Sequence, residues 1–307
     1  NLLRVRSDKP AIHFQSENNS NRTISYKELY SEVEKLASSL RKMGVKKGDR
    51  VVGYIPNIPE AIIGMLATTS IGAIWSSCSP DFGIQGVLDR FTQIKPKVIF
   101  AADGYFYNGK AFNSIDKLEA IVDKLPTIEK TVIVPFVSSS INIKSIDNSI
   151  LWQSFLDSNP ESLFFEQLPF DHPIYIMYSS GTTGKPKSIV HGAGGTLIQH
   201  LKELRLHSNI SADDTVFYFT TCGWMMWNWL ISNLAIGATI VLYDGSPFQP
   251  NKNSMWNMID NYKITHFGTS PKFLESCINT KVSPKKTHSL KSLKSILSTG
   301  SPLVEKC

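Results

Sequence analysis

The stretch YSSGTTGKPK, residues 178–187, combines glycines, hydroxyl side chains and lysines in a pattern that could bind phosphate. Glycines let the backbone approach a ligand closely, and successive backbone N–H groups with neighbouring hydroxyls can form a concave nest around phosphate oxygens. Lys185 or Lys187 would neutralise the charge of a transferred group. The candidate phosphate ligands are Ser179, Ser180, Gly181, Thr182, Thr183 and Gly184.

This loop does not have the Walker A pattern, which requires G-x-x-x-x-G-K-[ST] between a strand and a helix. Gly181 and Gly184 are only three residues apart, Lys185 precedes a proline, and the next segment has the pattern of a strand. The anion would therefore not lie on a helix N-terminus. The same composition suits a surface turn with solvated lysines, so the residues alone leave both interpretations open.

Strand-like runs alternate with helical periodicity along the chain, which predicts an α/β architecture with parallel strands joined by helices. Two of these runs, PIYIMY and KSIVHG, flank the glycine loop. The other principal runs are DRVVGYI, PKVIFAAD, KTVIVPFV, TVFYFTT and ATIVLYDG. The loose stretch VSSSINIKSIDNS interrupts the alternation, and we predict two α/β lobes, residues 1–165 and 166–307.

Helix ends are predicted from capping residues. Ser25 is the expected N-cap of a first amphipathic helix. Pro59 marks the start of a second helix, which we expect to run toward Trp75. Thr196 and Gln199 have the spacing of a capping box at the start of TLIQHLKELRLH.

Composition places the chain among ordinary soluble globular proteins, with 42% hydrophobic and 19% charged residues over 307 positions. The formal charge of +6 is modest, and the basic run at 281–294 has no interleaved aromatic residues, so we expect no nucleic-acid partner. The longest apolar stretch is interrupted by polar residues, so no membrane span is expected. The widely spaced cysteines favour a reducing, cytoplasmic location and predict no metal site: Cys78, Cys222, Cys277 and Cys307.

The loop and the VHGAGG that follows it resemble the phosphate-loop signature of the adenylate-forming superfamily, which includes acyl-CoA synthetases and luciferases. TTCGWMMWNWLISNLAIGATIVLYDGSP and HSLKSLKSILSTGSPL are similar to the acyl-CoA synthetases that act on acetoacetate. The likeness covers essentially the whole chain. It implies the family's large N-terminal domain, with two mostly parallel sheets flanked by helices. Because the chain starts at Asn1 and stops as a helix begins, we expect a central fragment.

The resemblance implies two half-reactions, with ATP, Mg²⁺ and coenzyme A as cofactors or co-substrates. Acetoacetate attacks the α-phosphate of ATP to give an acyl-adenylate and pyrophosphate, and the thiol of coenzyme A then displaces AMP. The alternatives are a ligase for acetate or another short acid, and a shortened, non-catalytic nucleotide-binding module. The metal-binding glutamate, the ribose aspartate and the mobile C-terminal domain with its lysine are expected beyond Cys307, so we expect this fragment alone to be inactive.

The resemblance also assigns roles to residues. The loop wraps the β- and γ-phosphates, with Lys185 and Lys187 as its catalytic cations. The other implied contacts are Trp224 and Met225 with the acyl group, Gly300, Ser301 and Pro302 with adenine, and Lys110 with coenzyme A. Each has a structural alternative: a core helix, a strand-ending turn and an ordinary exposed lysine. The core interpretation is preferred for Trp229, and Met226 is left open. His191, His200 and His207 are interpreted as buried or capping residues.

Overall fold

A computed structural model of the chain describes residues 1–179 and 184–305. The strands are β1 Pro10–Ser16, β2 Asn21–Ser25, β3 Arg50–Tyr54, β4 Ile74–Cys78, β5 Val98–Ala102, β6 Gly104–Tyr107, β7 Lys110–Asn113, β8 Lys130–Val134, β9 Ser149–Leu151, β10 Pro173–Tyr178, β11 Ser188–Gly192, β12 Thr215–Tyr218, β13 Thr239–Asp244, β14 His266–Thr269 and β15 Ser295–Ser298.

The α-helices alternate with these strands, as the sequence pattern predicts. They are α1 Tyr26–Lys42, α2 Pro59–Ser70, α3 Ile84–Ile94, α4 Ile115–Val122, α5 Trp152–Phe155, α6 Ala193–Lys202, α7 Met225–Ser232, α8 Ser254–Tyr262, α9 Pro271–Asn279 and α10 Pro284–Thr287. A π-helical turn, Glu203–His207, continues α6, and a 3₁₀ turn, Asn233–Ile236, continues α7.

The strands form two mostly parallel sheets and one hairpin within the described part of the chain. Sheet I has the order β15-β14-β12-β13-β1-β2, and sheet II has the order β11-β10-β4-β3-β5-β8-β9. The antiparallel pairs at the sheet edges are β1 with β2 and β10 with β11. Strands β6 and β7 pair with each other as a two-stranded hairpin. The predicted fold class, parallel sheets flanked by helices, is therefore confirmed.

Helices cover both faces of the sheets, and the largest core lies between the two sheets. That core joins side chains of both sheets to α1, α2 and α7, and it includes the fully buried Trp75 and Trp227. A second core packs α3 and α4 against the outer face of sheet II. A third packs α8 and α9 against the outer face of sheet I. The layers place the carboxyl ends of parallel strands from both sheets close to one another.

Each sheet takes strands from both sides of the predicted boundary between residues 165 and 166. Strands β1 and β2 complete sheet I, whose other strands come from the second half of the chain. Strands β10 and β11 extend sheet II, whose other strands come from the first half. Sheet membership therefore does not mark that boundary, and the division into lobes stays a prediction.

The first predicted helix end is confirmed, and the second helix is shorter than expected. Glu28 donates its backbone N–H to the Ser25 hydroxyl at 3.1 Å, and the Glu28 carboxylate accepts the Ser25 N–H at 2.7 Å, which is a complete capping box. Helix α2 starts at Pro59 as predicted but ends at Ser70, and Trp75 lies in β4 instead. Gly72, with φ +75°, reverses the chain between the helix and the strand.

The capping box predicted for Thr196 and Gln199 is wrong. Helix α6 begins at Ala193 with Gly192 as its N-cap, so Thr196 lies inside the helix. The reason is the close packing of Gly194, in the first turn of the helix, against Phe170. A Cβ on Gly194 would lie 2.3 Å from the Phe170 ring, so only glycine lets the helix begin this early.

Three buried cysteines in the described residues are unpaired: Cys78, Cys222 and Cys277. Burial raises the pKa of Cys78 to about 12 and raises the pKa of Cys222 as well. Both side chains are therefore protonated thiols at neutral pH. No helix in the described ranges combines the length and the apolar character needed to cross a bilayer.

Candidate nucleotide and acyl site

The candidate site lies where parallel strands of both sheets end. The turn that follows β12 packs against the carboxyl end of β4, because the Ser77 hydroxyl donates to the Cys222 carbonyl at 2.7 Å. Asn228 of α7 reaches β10, with its Nδ2 3.4 Å from Met177 Sδ. The turn that carries Trp224 and the strand that enters the glycine loop are thus neighbours. Open α/β sheets bind ligands at such strand ends.

The stems of the glycine loop form an antiparallel pair. Ser179 donates its N–H to the Lys187 carbonyl at 3.0 Å, and the Lys187 N–H is 2.9 Å from the Ser179 hydroxyl, which accepts it. The two flanking strands predicted from PIYIMY and KSIVHG are confirmed as β10 and β11. The predicted phosphate ligands Ser180, Gly181, Thr182 and Thr183 lie outside the described residues. Gly184 has a backbone φ of +144°.

Helix α3 supports both stems, a role that sequence reasoning missed. Gln93 donates its Nε2 to the Pro186 carbonyl at 2.7 Å and accepts the Ser188 hydroxyl at 2.9 Å. On the other stem, the Tyr178 hydroxyl donates to the Arg90 carbonyl at 3.2 Å. No local pattern signals these contacts, because the partners are about ninety positions apart in the chain.

The two predicted catalytic lysines are exposed. The side chain of Lys185 is 81% exposed, and its Nζ lies 3.9 Å from Asp89 Oδ1. An ion pair of this exposure is weak, so a bound phosphate would compete for Lys185 readily. Lys187 is exposed beside the stem pair. Their catalytic role stays a prediction.

Trp224 is an exposed indole at the start of α7. It is 64% exposed, and its backbone, extended as an N-cap, donates its N–H to the Thr221 carbonyl at 3.1 Å. Met225 and Met226 are half-buried beside it. Trp229, in contrast, is 6% exposed and belongs to the core, which confirms the interpretation made for it. The exposure of Trp224 leaves its ring available to a ligand.

The residues predicted to contact adenine follow β15. Gly300 has φ +100°, and Ser301 and Pro302 are exposed. Among the described residues, no hydrogen bond joins these three residues to the loop stems or to the Trp224 turn. The structure therefore places them at the end of sheet I without joining them to the other predicted contacts.

The predicted coenzyme A contact, Lys110, lies on the β6–β7 hairpin and is exposed. The hairpin turn is held by a buried carboxylate from the turn that follows β1. Glu17, 5% exposed, accepts the N–H groups of Asn108 at 3.0 Å and Gly109 at 2.8 Å. The same carboxylate accepts the Ser246 N–H at 2.7 Å. Sequence reasoning did not identify Glu17, because its partners come from distant segments.

The histidines differ in environment. His200 is buried, its Nδ1 is 2.7 Å from the Ser232 hydroxyl, and burial lowers its pKa to about 4. His191 in β11 is half-buried, with its ring centroid 5.1 Å from that of Tyr175, and burial lowers its pKa also. His207 is exposed. The prediction of a buried histidine is confirmed for His200.

The described residues contain no group of three or more His, Cys, Asp or Glu side chains that could hold a metal ion.

Residues 3–307 match the model of a family described as AMP-binding enzyme. The chain belongs to the AMP-binding enzyme family, and the predicted resemblance is confirmed.

Within this family, the chain is similar to several individual acyl-CoA synthetases. The chain is 53% identical to an acetoacetyl-CoA synthetase from Gallus gallus, over 99% of this chain and 47% of that protein. It is 48% identical to acetoacetyl-coenzyme A synthetase from Rhizobium meliloti (strain 1021), with the same coverage. A malonamoyl-CoA synthetase from Penicillium aethiopicum is 40% identical over 91% of this chain and 42% of that protein.

A solved structure supports the same relationship. Acetoacetyl-CoA synthetase from Streptomyces lividans superposes with a TM-score of 0.93 and 41% identity, over 98% of this chain and 46% of that structure. The chain therefore spans just under half the length of the relatives that it matches.

Proposed function

We propose that this chain is the nucleotide- and acyl-binding part of an ATP-dependent acid–thiol ligase that converts acetoacetate into acetoacetyl-CoA. In the first step a carboxylate oxygen bonds to the α-phosphorus of ATP, and the bond to pyrophosphate breaks. In the second, the sulfur of coenzyme A bonds to the acyl carbon, and AMP leaves. Mg²⁺ would neutralise phosphate charge in the first step.

One observation carries this proposal: the Trp224 turn and the strand entering the glycine loop lie side by side. The contacts Ser77–Cys222 and Asn228–Met177 join the two regions at the ends of β4 and β10. An acid bound at the turn would thus lie near a phosphate bound at the loop. Positioning two reactants in this way accounts for a large part of catalysis in such reactions.

Each predicted side chain has a distinct task in this scheme. Acid and ATP are both anions, so Lys185 and Lys187 would offset their repulsion in the transition state. Trp224 and Met225 would hold the acyl chain and exclude water from the mixed anhydride. Gly300, Ser301 and Pro302 would frame the adenine, with glycine allowing the backbone to approach the ring.

Lys110 would meet a phosphate of coenzyme A as a single charge. Lysine lacks the forked guanidinium that binds phosphate through two hydrogen bonds. We therefore propose a looser coenzyme A contact at this hairpin than an arginine would give.

The names of the relatives favour acetoacetate over simpler acids. Acetoacetyl and malonamoyl groups both carry a carbonyl on the third carbon, whereas acetate and butyrate do not. The test uses the protein translated from the complete reading frame that encodes this chain. Acyl-CoA formation is measured with acetoacetate, acetate and butyrate, together with release of AMP and pyrophosphate. We expect acetoacetate to be preferred, and equal turnover of all three acids would contradict that preference.

A second candidate function is a non-catalytic nucleotide-binding module. The length of the reading frame separates the two proposals. A frame ending at position 307 would support the module, and a longer one that also encodes a C-terminal domain would support the ligase.

We further propose a cytoplasmic location, supported by the unpaired buried thiols, and a division of the chain into two lobes, residues 1–165 and 166–307.

A further inference from the structure

A small cavity lies beneath the Trp224 turn, between α7 and the ends of β4 and β10. Its lining includes Trp75, Ser77, Met177, Gly223 and Asn228. The free volume is about 10 Å³, which is room for one oxygen-sized group. The cavity therefore adjoins the turn at which the acyl group is proposed to bind.

Three buried side chains that line this cavity have an unpaired polar atom among the described residues: Trp75, Tyr175 and Asn228. Trp75 is 1% exposed and Asn228 is 4% exposed. Among the described residues, the Trp75 indole N–H and the Asn228 Oδ1 have no hydrogen-bond partner. The other amide atom of Asn228 meets only the sulfur of Met177, a weak acceptor. Buried polar atoms are nearly always hydrogen-bonded, so the unpaired indole N–H and carboxamide oxygen at one cavity favour a polar ligand atom there.

Close packing holds the Trp75 ring in place. A Cβ on Gly53 would lie 2.8 Å from Cζ2 of the Trp75 ring, and a Cβ on Gly64 would lie 3.3 Å from its Cη2. Glycine at both positions makes room for the indole and leaves it little freedom to move. Asn228 lies one helical turn after Trp224 and Met225, within α7. Residues at this spacing share a helix face.

We propose that Trp75 and Asn228 determine acid specificity by donating hydrogen bonds to the 3-oxo oxygen of acetoacetate; this inference rests on the proposed function. A carbonyl oxygen accepts two hydrogen bonds, one from the indole N–H and one from the carboxamide. A half-turn of the Asn228 amide places its N–H in the cavity and its oxygen at Met177. An acid without this carbonyl leaves both groups unpaired, which is how a polar pocket rejects an analogue lacking one oxygen.

The test compares acetoacetate with butyrate, which has a methylene in place of the 3-oxo group. The protein from the complete reading frame is assayed as wild type, Asn228→Leu and Trp75→Phe. Leucine keeps the size of asparagine without its amide, and phenylalanine keeps a buried ring without the N–H. For each variant we expect the ratio of kcat/KM for acetoacetate to that for butyrate to fall by about 10- to 100-fold, with KM for ATP unchanged.

Asn233→Leu is the matched control. Asn233 is equally buried and donates its Nδ2 to the carbonyls of Trp229 and Leu230, but it does not line the cavity. We expect this change to lower stability while leaving the ratio intact. A ratio that stays within about threefold of wild type in both cavity variants overturns the inference alone. A wild-type protein that activates neither acid overturns the proposed function and this inference with it.

Discussion

Two turns in this molecule are fixed in opposite ways. The hairpin turn at Asn108 and Gly109 is held from within, because the buried carboxylate of Glu17 accepts both N–H groups. The stems of the glycine loop are held from outside, by a backbone pair and by the exposed side chain of Gln93. Buried charge-assisted hydrogen bonds are strong, whereas exposed ones contribute little to stability. Substitutions at the hairpin should therefore change stability, and substitutions at the loop should change activity.

The largest effect is expected at Lys187. Lys187→Ala should lower kcat by about 10²–10³-fold, because it removes the cation that we propose offsets charge in the transition state. The free energy of unfolding should change by less than about 0.5 kcal/mol, since the side chain is exposed. Kinetics and urea unfolding of the protein from the complete reading frame measure the two quantities. Lys291→Ala, an exposed lysine far along the chain, is the control. An unchanged kcat for Lys187→Ala would mean that Lys187 is a solvated surface lysine with no role in catalysis.

The opposite result is expected at Glu17. Glu17→Ala leaves the N–H groups of Asn108, Gly109 and Ser246 without their acceptor and should destabilise the fold by about 3 kcal/mol. Hydrogen exchange in residues 104–113 should rise well above that of the rest of the chain. Glu34→Ala is a fair comparison, because within the described residues its carboxylate accepts one backbone N–H, from Leu163. Equal losses from the two variants would mean that the hairpin does not depend on Glu17.

Trp224 tests the acyl side of the candidate site. Trp224→Ala should raise KM for acetoacetate about tenfold and leave KM for ATP nearly unchanged, because Trp224 is proposed to bind the acid and not the nucleotide. The effect on stability should be small at 64% exposure. Steady-state kinetics with each substrate varied in turn separate the two constants. Parallel increases in both would indicate that Trp224 supports the whole site.

How much the sequence predicts follows from the range of the interactions. Signals within a few residues were sufficient for the N-cap at Ser25, the start of α2 at Pro59 and the strands on either side of the glycine loop. The start of α6 was missed because it depends on the packing of Phe170 against Gly194. These two residues are more than twenty positions apart in the chain.

The supporting residues of the site were beyond prediction for the same reason. Glu17 holds a turn about ninety residues away, and Gln93 holds a stem at a similar separation. Neither side chain lies in a recognisable motif. Strands β1 and β2 join sheet I, and β10 and β11 join sheet II, through pairing with distant segments. Local periodicity does not encode such pairing.

Asp244 extends the comparison to pH. The pKa of Asp244 is raised to about 7, chiefly by burial and also by the nearby Glu17 and Asp81, against the opposing effect of the Phe106 N–H. The folded protein therefore keeps a proton that the unfolded chain releases above its ordinary pKa of 3.8. Stability should fall as pH rises between about 4 and 7, by at most about 1.4 kcal/mol per pH unit from this group.

Asp244→Asn should remove that slope. The measurement is the difference in unfolding free energy between wild type and variant across pH 4–7, because carboxylates such as Asp214, whose pKa is lowered to about 2, act in the opposite direction in both proteins. A difference that does not vary with pH would mean that Asp244 is ionised in the folded protein.

The smallest effect is expected at Gln93, whose substitution tests whether the loop stem can affect activity without affecting stability. Gln93→Ala removes the hydrogen bonds to Pro186 and Ser188, so the stem of the loop loses its support from α3. These bonds are exposed, so stability should change by less than about 0.5 kcal/mol. Because the stem carries Lys187, kcat should fall about threefold with KM for acetoacetate unchanged. Gln85→Ala is the matched control, since Gln85 lies on the same helix and its side chain donates to Asp89 within that helix. If both variants lose activity equally, the effect belongs to the helix; if neither does, α3 does not position the loop.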